Sequence, residues 1–244
     1  MIAPRRALRS LRHLWRTRAP WPVYVALVAT RMRASGIRRR FGPRRAAFEA
    51  VARKHDFSTD WFIPRLCDWM AVFERHPLPG SAEILEIGSW EGMSALFMLT
   101  TWPDARLTCV DTWQGGVVRN GGEGASEARF DANTAGHHGR VTKFRGMSSA
   151  FFAASPAGAR FDFVYVDGSH QYADVLGDSF AGFDALKPGG IMIFDDYLMS
   201  PYDGKSDCPA PAINRLLYER RGRYELVAVY WQLVIRKLPA AGSP

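Results

Sequence analysis

The first 45 residues hold no lysine and no acidic side chain, but thirteen arginines. The net charge of +8 therefore belongs to an N-terminal arm, because residues 46–244 carry 19 basic against 24 acidic side chains, a net of −5. A net-negative body counts against extended contact with nucleic-acid phosphates. Cysteine is scarce: Cys67, Cys109 and Cys208 form no close pair, which argues against a disulfide framework and a zinc site. A reducing, cytoplasmic setting fits that usage. The apolar piece 21–30 is too short to span a bilayer, which takes about 20 residues. It lacks a small-x-small cleavage pattern and runs straight into Arg31 and Arg33, against a secretory signal. Serine in the arm is limited to Ser10 and Ser35, which weakens a transit-peptide reading. No internal repeat is present.

What is there divides the chain in two. Residues 1–45 form a basic arm, partly flexible or helical, and 46–244 a catalytic body. That body has N-terminal helices over 46–80 and an alternating core over 81–237. Trp15, Trp21 and Tyr24 beside arginines suit an interfacial segment, so an anionic membrane surface is one candidate partner, giving a peripheral protein. A solvated or partly helical extension, nucleic acid and another binding partner are the alternatives.

Within the body, the pattern predicts a helix over 44–56. A second, capped by Asp60 with Pro64 early, places Leu66, Trp69, Met70 and Phe73 on one face. Apolar strands over 82–87, 106–111, 140–146, 161–167 and 191–196 alternate with helices over 93–102, 129–136, after Ser148, 174–186 and 212–221. KPGG (187–190) reads as a turn before the fifth strand. The alternation predicts a doubly wound, mostly parallel α/β sheet. The β-rich run 224–237 is one long strand or two, and periodicity does not decide. The glycine-rich stretch 112–128 reads as a mobile loop.

Two features carry chemistry. Asp167 ends the strand FDFVYVD, and Asp195 with Asp196 ends IMIFDD. Carboxylates at the carboxyl ends of parallel strands converge on one crevice, where such sheets bind ligands. Three oxygen donors there suit a hard divalent cation such as Mg²⁺. Adjacent strand residues point to opposite faces, so Asp195 and Asp196 share a site only if the strand stops there. The second feature is the turn EIGSWEG (86–92), with Glu86, Gly88, Ser89 and Gly92. Trp90 stands where the dinucleotide fingerprint has its second glycine, which counts against a pyrophosphate cofactor. Glu86 would repel phosphate and pair with a cationic group. Asp111, ending the second strand, is placed to accept hydrogen bonds from ribose hydroxyls.

On EIGSWEG, VDTWQGG (110–116), DGSHQY (167–172) and GGIMIFDDY (189–197), the chain resembles the class I S-adenosylmethionine-dependent methyltransferases. Within them it is similar to the group of macrocin-type sugar O-methyltransferases and relatives of catechol O-methyltransferase. The resemblance covers about residues 55–237 and implies a Rossmann-like, seven-stranded sheet, here with an arginine-rich helical extension. It implies that Glu86, Gly88 and Ser94 hold the methionine end of S-adenosyl-L-methionine, and Asp111 the ribose. Met147 and Ser148 would flank the adenine. Asp167, Asp195 and Asp196 match the metal ligands, with Asp167 also beside the cofactor, and His170 falls at a general-base position. Histidine with paired aspartates looks like the sugar and natural-product branch, so the expected acceptor is a small-molecule hydroxyl.

That chemistry has a use for these residue types. A neutral hydroxyl is a poor nucleophile, a metal lowers its pKa, and imidazole can take its proton near neutral pH. Rival readings are an RNA or protein methyltransferase and a catalytically silent cofactor-binding protein at a membrane surface. No Asn/Asp-Pro-Pro-Tyr motif is present, which counts against base methylation. Some members of the wider group serve oxidative tailoring instead. The pocket for the acceptor falls to 112–128, 198–211 and the N-terminal helices. A homo-oligomer is compatible with the sequence.

Overall fold

The computed structural model describes residues 4–114, 124–199 and 208–240. Seven strands form one sheet: β1 (Glu83–Ile87), β2 (Arg106–Asp111), β3 (Val141–Arg145), β4 (Phe161–Val166), β5 (Leu186–Phe194), β6 (Tyr224–Val229) and β7 (Leu233–Lys237). Their order is β3-β2-β1-β4-β5-β7-β6. The first five are mutually parallel, and β7 runs antiparallel to β5 and β6. The helices are α1 (Pro4–Arg16), α2 (Trp21–Ala52), α3 (Leu66–Arg75), α4 (Met93–Thr101), α5 (Ala125–Thr134), α6 (Ser148–Ala154), α7 (Tyr172–Ala185) and α8 (Ala210–Glu219).

Central strands are apolar on both faces because both are covered. Phe163 and Tyr165 of β4 point into one layer, and Val164 and Val166 into the other, as a period of two requires. The first layer centres on Trp69 of α3, whose ring meets Phe163 and Tyr165 edge-on at 5.2 and 4.8 Å between centroids. Its indole N–H donates to Gln232 Oε1 at 2.7 Å. The second layer packs Leu14 of α1, Phe183 of α7 and Leu216 of α8. Trp69 thereby fixes the ring of Tyr165, whose hydroxyl reaches the acidic cluster described below.

The N-terminal extension is helical and belongs to this packing. Helix α2 spans 32 residues rather than beginning at 44. Arginine is a good helix former, and the helix continues through Gly36, Gly42 and Pro43. Val23 and Leu27 pack into the second layer, while Phe41 and Phe48 reach the first. Between them α2 runs along β6, and the Val229 N–H donates to Thr30 Oγ1 at 3.3 Å. The helix thus covers the sheet edge that β6 would otherwise expose.

Other departures from the sequence pattern are local. Asp60 does not cap α3; its carbonyl accepts the Ile63 N–H, and a 3₁₀ turn, Ile63–Arg65, takes Pro64 and leads into the helix. KPGG is part of β5, not a turn before it. The register against β4 shifts between Phe161 and Phe163, and Gly189 adopts φ +82° to absorb the shift. Gly190 packs where a Cβ would lie 2.9 Å from the Asp162 carbonyl oxygen. The run 224–237 is two strands, closed by Tyr230 N–H donating to the Gln232 carbonyl at 2.8 Å. In the 112–128 stretch, residues 115–123 lie outside the described residues, and α5 begins at Ala125, ahead of the expected 129.

One contact ties the fold to the site. Gly88, just after β1, has φ +87°, and a Cβ there would lie 2.1 Å from the carbonyl oxygen of Asp167, just after β4. Gly88→Ala is therefore expected to lose about 2–5 kcal/mol, from left-handed strain plus overpacking. Gly80→Ala, with nothing within 4 Å of the added carbon, should change little. Chemical denaturation of both variants checks this, and equal stabilities would refute it.

Candidate functional site

The C-terminal ends of β1, β2, β4 and β5 meet at one edge of the sheet. Gly88, Ser89, Trp90, Glu91 and Gly92 connect β1 to α4, with positive φ at Gly88, Trp90 and Gly92. The carboxylate of Asp111 shapes this turn. Its Oδ2 accepts the N–H groups of Ser89 and Trp90, both at 2.8 Å, and its Oδ1 accepts the Trp113 N–H at 2.7 Å. Trp113 Nε1 donates in turn to the Trp90 carbonyl at 2.8 Å. Asp111, the residue expected to meet a ribose, also holds the backbone of the turn beside it.

Glu86 is fully buried beneath the turn, where Ser94 Oγ donates to it at 2.5 Å and Cys109 Sγ lies 3.6 Å away. Burial pushes its carboxyl up to about 7. Met147 is half-exposed at the start of α6. The Ser148 hydroxyl bonds to Asp178, a buried carboxyl on α7 that burial raises to about 6. Glu86, Gly88, Ser89, Gly92 and Ser94 are therefore brought together, with Asp111 bonded to their turn.

The acidic residues form a second cluster. The Asp167 N–H donates to the Ile87 carbonyl at 2.8 Å and the Asp195 N–H to that of Val166 at 2.9 Å, which aligns the ends of β1, β4 and β5. The Tyr165 hydroxyl lies 2.8 Å from Asp167 Oδ2 and 2.5 Å from Asp195 Oδ2. One hydroxyl has one proton, so it cannot donate to both carboxyls at once. Burial, then the charges of Asp195 and Asp196, push the Asp167 carboxyl well above its ordinary value. Burial and Asp196 raise Asp195. An extra proton or a cation relieves this repulsion.

The strand β5 stops at Phe194, and Asp196 takes φ +53°, a left-handed conformation uncommon outside glycine, asparagine and aspartate. Two adjacent aspartates are thus freed from pointing to opposite faces. Asp196 Oδ2 lies 3.0 Å from His170 Nε2, and the Trp231 indole donates to its Oδ1. Burial opposes ionisation of Asp196, yet the His170 and Trp231 bonds hold its carboxyl below the ordinary value. Asp167, His170 and Asp195 line one small cavity with Gly168 and Ser169.

Oxygen donors and surplus negative charge fit a hard divalent cation in kind. Among the described residues, however, no group of three or more His, Cys, Asp or Glu side chains is arranged to hold an ion. Their oxygens are met instead by Tyr165, Gln232, Trp231 and His170. Of the segments expected to enclose an acceptor, 115–123 and 200–207 lie outside the described residues.

Several participants were missed. Tyr165 was readable, since it stands two residues before Asp167 on one strand face. Gln232 and Trp231 sit in the β6–β7 turn, far off in sequence, with no local signal. Glu91 is buried and receives the Ser58 N–H and hydroxyl at 2.6 and 2.7 Å, and Arg129 at 2.9 Å. Asn133 bonds both the Glu91 carbonyl and Asp56. This network clamps the 88–92 turn between the α2–α3 connection and α5.

The Glu86 shift gives a testable pH dependence. Its folded value of about 7 exceeds the ordinary 4.5, so the native state holds the extra proton between these values. The associated stability is complete below 4.5 and is lost as pH rises through about 7. Between about pH 5 and about pH 8 the wild type should lose roughly 2–3 kcal/mol that Glu86→Gln retains. Parallel denaturation curves at the two pH values would contradict this.

Residues 85–197 match a family described as a methyltransferase domain. No curated protein matches the chain in sequence. Among solved structures, the O-methyltransferase TomG from Streptomyces achromogenes, involved in tomaymycin synthesis and bound to S-adenosylmethionine, is 17% identical. It superposes with a TM-score of 0.53 over 80% of this chain and 89% of its own. An O-methyltransferase from Bacillus cereus, bound to S-adenosylhomocysteine, is 16% identical, with a TM-score of 0.52 over 89% of this chain and 100% of its own. MycE from the mycinamycin biosynthetic pathway, with Mg and S-adenosylhomocysteine, is 19% identical, with a TM-score of 0.50 over 78% of this chain and 53% of its own. At these identities the likeness is one of fold. Residues 85–197 thus match a methyltransferase-domain family, and the chain shares the fold of these solved O-methyltransferases.

Proposed function

We propose that the protein transfers the methyl group of S-adenosylmethionine to a hydroxyl oxygen of a sugar or small natural product. The observation that carries this reading is the backbone contact between Gly88 and Asp167, which sets the cofactor turn directly against the carboxylate cluster. In such a transfer the methyl–sulfur bond breaks as the methyl–oxygen bond forms, and sulfur leaves as a neutral thioether. The acceptor hydroxyl must lose a proton.

His170 is assigned to take that proton. The carboxylate of Asp196, 3.0 Å from its Nε2, orients the ring. Glu86 and the turn Gly88–Gly92 would receive the cationic, methionine end of the donor, and Asp111 keeps that turn in shape. Met147 lies exposed for an adenine face, and Ser148 acts through Asp178. Asp167, Asp195 and Asp196 would hold a divalent cation such as Mg²⁺, which would supply polarisation of the acceptor hydroxyl. TomG and MycE, by their names, serve natural-product synthesis, and MycE carries Mg, which favours this acceptor class and a metal.

The test is calorimetric titration with S-adenosylmethionine, with and without Mg²⁺, followed by labelled-methyl transfer to a panel of hydroxyl acceptors. Failure to bind the donor under either condition ends the reading. Asp167→Ala should abolish metal-dependent turnover while largely sparing donor affinity, and unchanged turnover removes the metal. His170→Ala should slow turnover by about 10²–10⁴-fold, the worth of a lost acid–base group. A change of only a few-fold leaves it a structural residue.

A further inference from the structure

Helices α1 and α2 each carry two apolar faces where packing needs one. The inner faces, with Leu14, Val23 and Leu27, are buried in the domain. Outward, Leu8, Leu11 and Trp15 form a stripe on α1, and Trp21, Val25, Val28 and Met32 form another on α2. Seven of the eleven exposed large apolar side chains among the described residues lie in these two stripes, so they form a patch and are not scattered. Trp15 and Met32 are each 79% exposed. Between the stripes runs an apolar groove, and Arg31 Nη2 donating to Ser10 Oγ at 2.5 Å holds the helices side by side.

Basic charge flanks the patch. Met32 also lines a second groove, which contains Arg33, Arg39 and Arg75, and Arg40 paired with Glu74 at 2.6 Å. No acidic residue precedes Glu49, so α1 and α2 up to that point contribute charge of one sign. Residues 46–244 carry a net of −5 and would be turned away from any anionic surface that attracts the arm. Among the described residues no helix is long and apolar enough to cross a membrane.

We infer that the outer face of α1 and α2 docks flat on an anionic phospholipid surface. The two stripes enter the headgroup–acyl boundary, the tryptophans sit at that boundary, and the arginines meet lipid phosphates. A second copy of this chain is the less favourable occupant, because it would bring two acid-free arginine faces together. The docked face is rigidly joined to the site. His13 Nε2 bonds the Tyr197 carbonyl at 2.9 Å, one residue past Asp196, and Asn214 links the Tyr197 hydroxyl to the Thr17 carbonyl.

Vesicle flotation of the full chain tests this, using phosphatidylcholine alone and phosphatidylcholine mixed with phosphatidylserine. The protein should float with the mixed vesicles, bind them at least tenfold more tightly than the neutral ones, and be released by salt. Val25→Glu with Val28→Glu should lose at least tenfold in vesicle binding, with circular dichroism and S-adenosylmethionine affinity unchanged. Arg33→Gln with Arg39→Gln should lose roughly tenfold or more, since each basic residue contributes about fivefold at such a surface. Should the glutamate pair misfold, Trp15→Gln with Trp21→Gln takes its place with the same expectation. Binding neither vesicle, or binding that ignores the stripe substitutions, overturns the proposal. So does tighter, stripe-independent binding to RNA, or a dimer in sedimentation that the glutamate pair dissolves.

Discussion

The backbone of Gly88 lies against the carbonyl of Asp167 with no room for a side chain between them. This approach joins the two halves of the site. The loop leaving β1 is one half and the loop leaving β4 is the other, and the ladder from Asp167 N–H to the Ile87 carbonyl holds them in register. Any larger residue at position 88 would part the strand ends and separate the cofactor turn from the carboxylates. The glycine is therefore a packing requirement before it is a binding one. The aromatic layer serves the same end, since Trp69 packs on Tyr165 and Tyr165 bridges Asp167 and Asp195.

Carboxylates gathered in a buried place oppose folding unless something balances them. Here Tyr165, Gln232, Trp231, His170 and the Asp196 backbone supply donors, yet Asp167 and Asp195 remain raised. Glu86 adds another carboxyl without a cationic partner, buried completely. A protein stabilised for its own sake would have little use for this arrangement. The proposed methyl transfer gives it one, because a sulfonium donor and a proton from the acceptor would meet that charge. Asp196, held at a left-handed φ beside His170, places strain where chemistry is expected.

The N-terminal helices do two jobs with one sequence. Their inner faces close the edge of the sheet at β6 and support the segment after Asp196. Their outer faces carry apolar stripes and arginines that the fold does not need. Thr30 illustrates the first job, bonding the Val229 N–H, and Val28, two residues earlier on the opposite face, the second.

Strand positions, the parallel alternation and the carboxylates at strand ends were legible because they depend on periods of two and on local turns. Gly88, Asp167 and Asp195 could be singled out for the same reason, whereas His170 stood out only through the resemblance. The start of α2 was not legible, because the apolar residues of 21–30 suit an interface and a buried face equally, and only the packing of Val23 and Leu27 decides. Nor was the role of Asp111 as the organiser of its neighbouring turn, since the N–H groups of Ser89 and Trp90 are 22 and 21 residues distant. Gln232 and Trp231 reach the acidic cluster only because β7 folds back beside β5. By itself the sequence determined which residues end strands and which turns need glycine, for these follow from local backbone sterics. Only the tertiary structure decided which carboxylates share protons, donors and repulsion, because charge interactions act through space and strand order sets the distances.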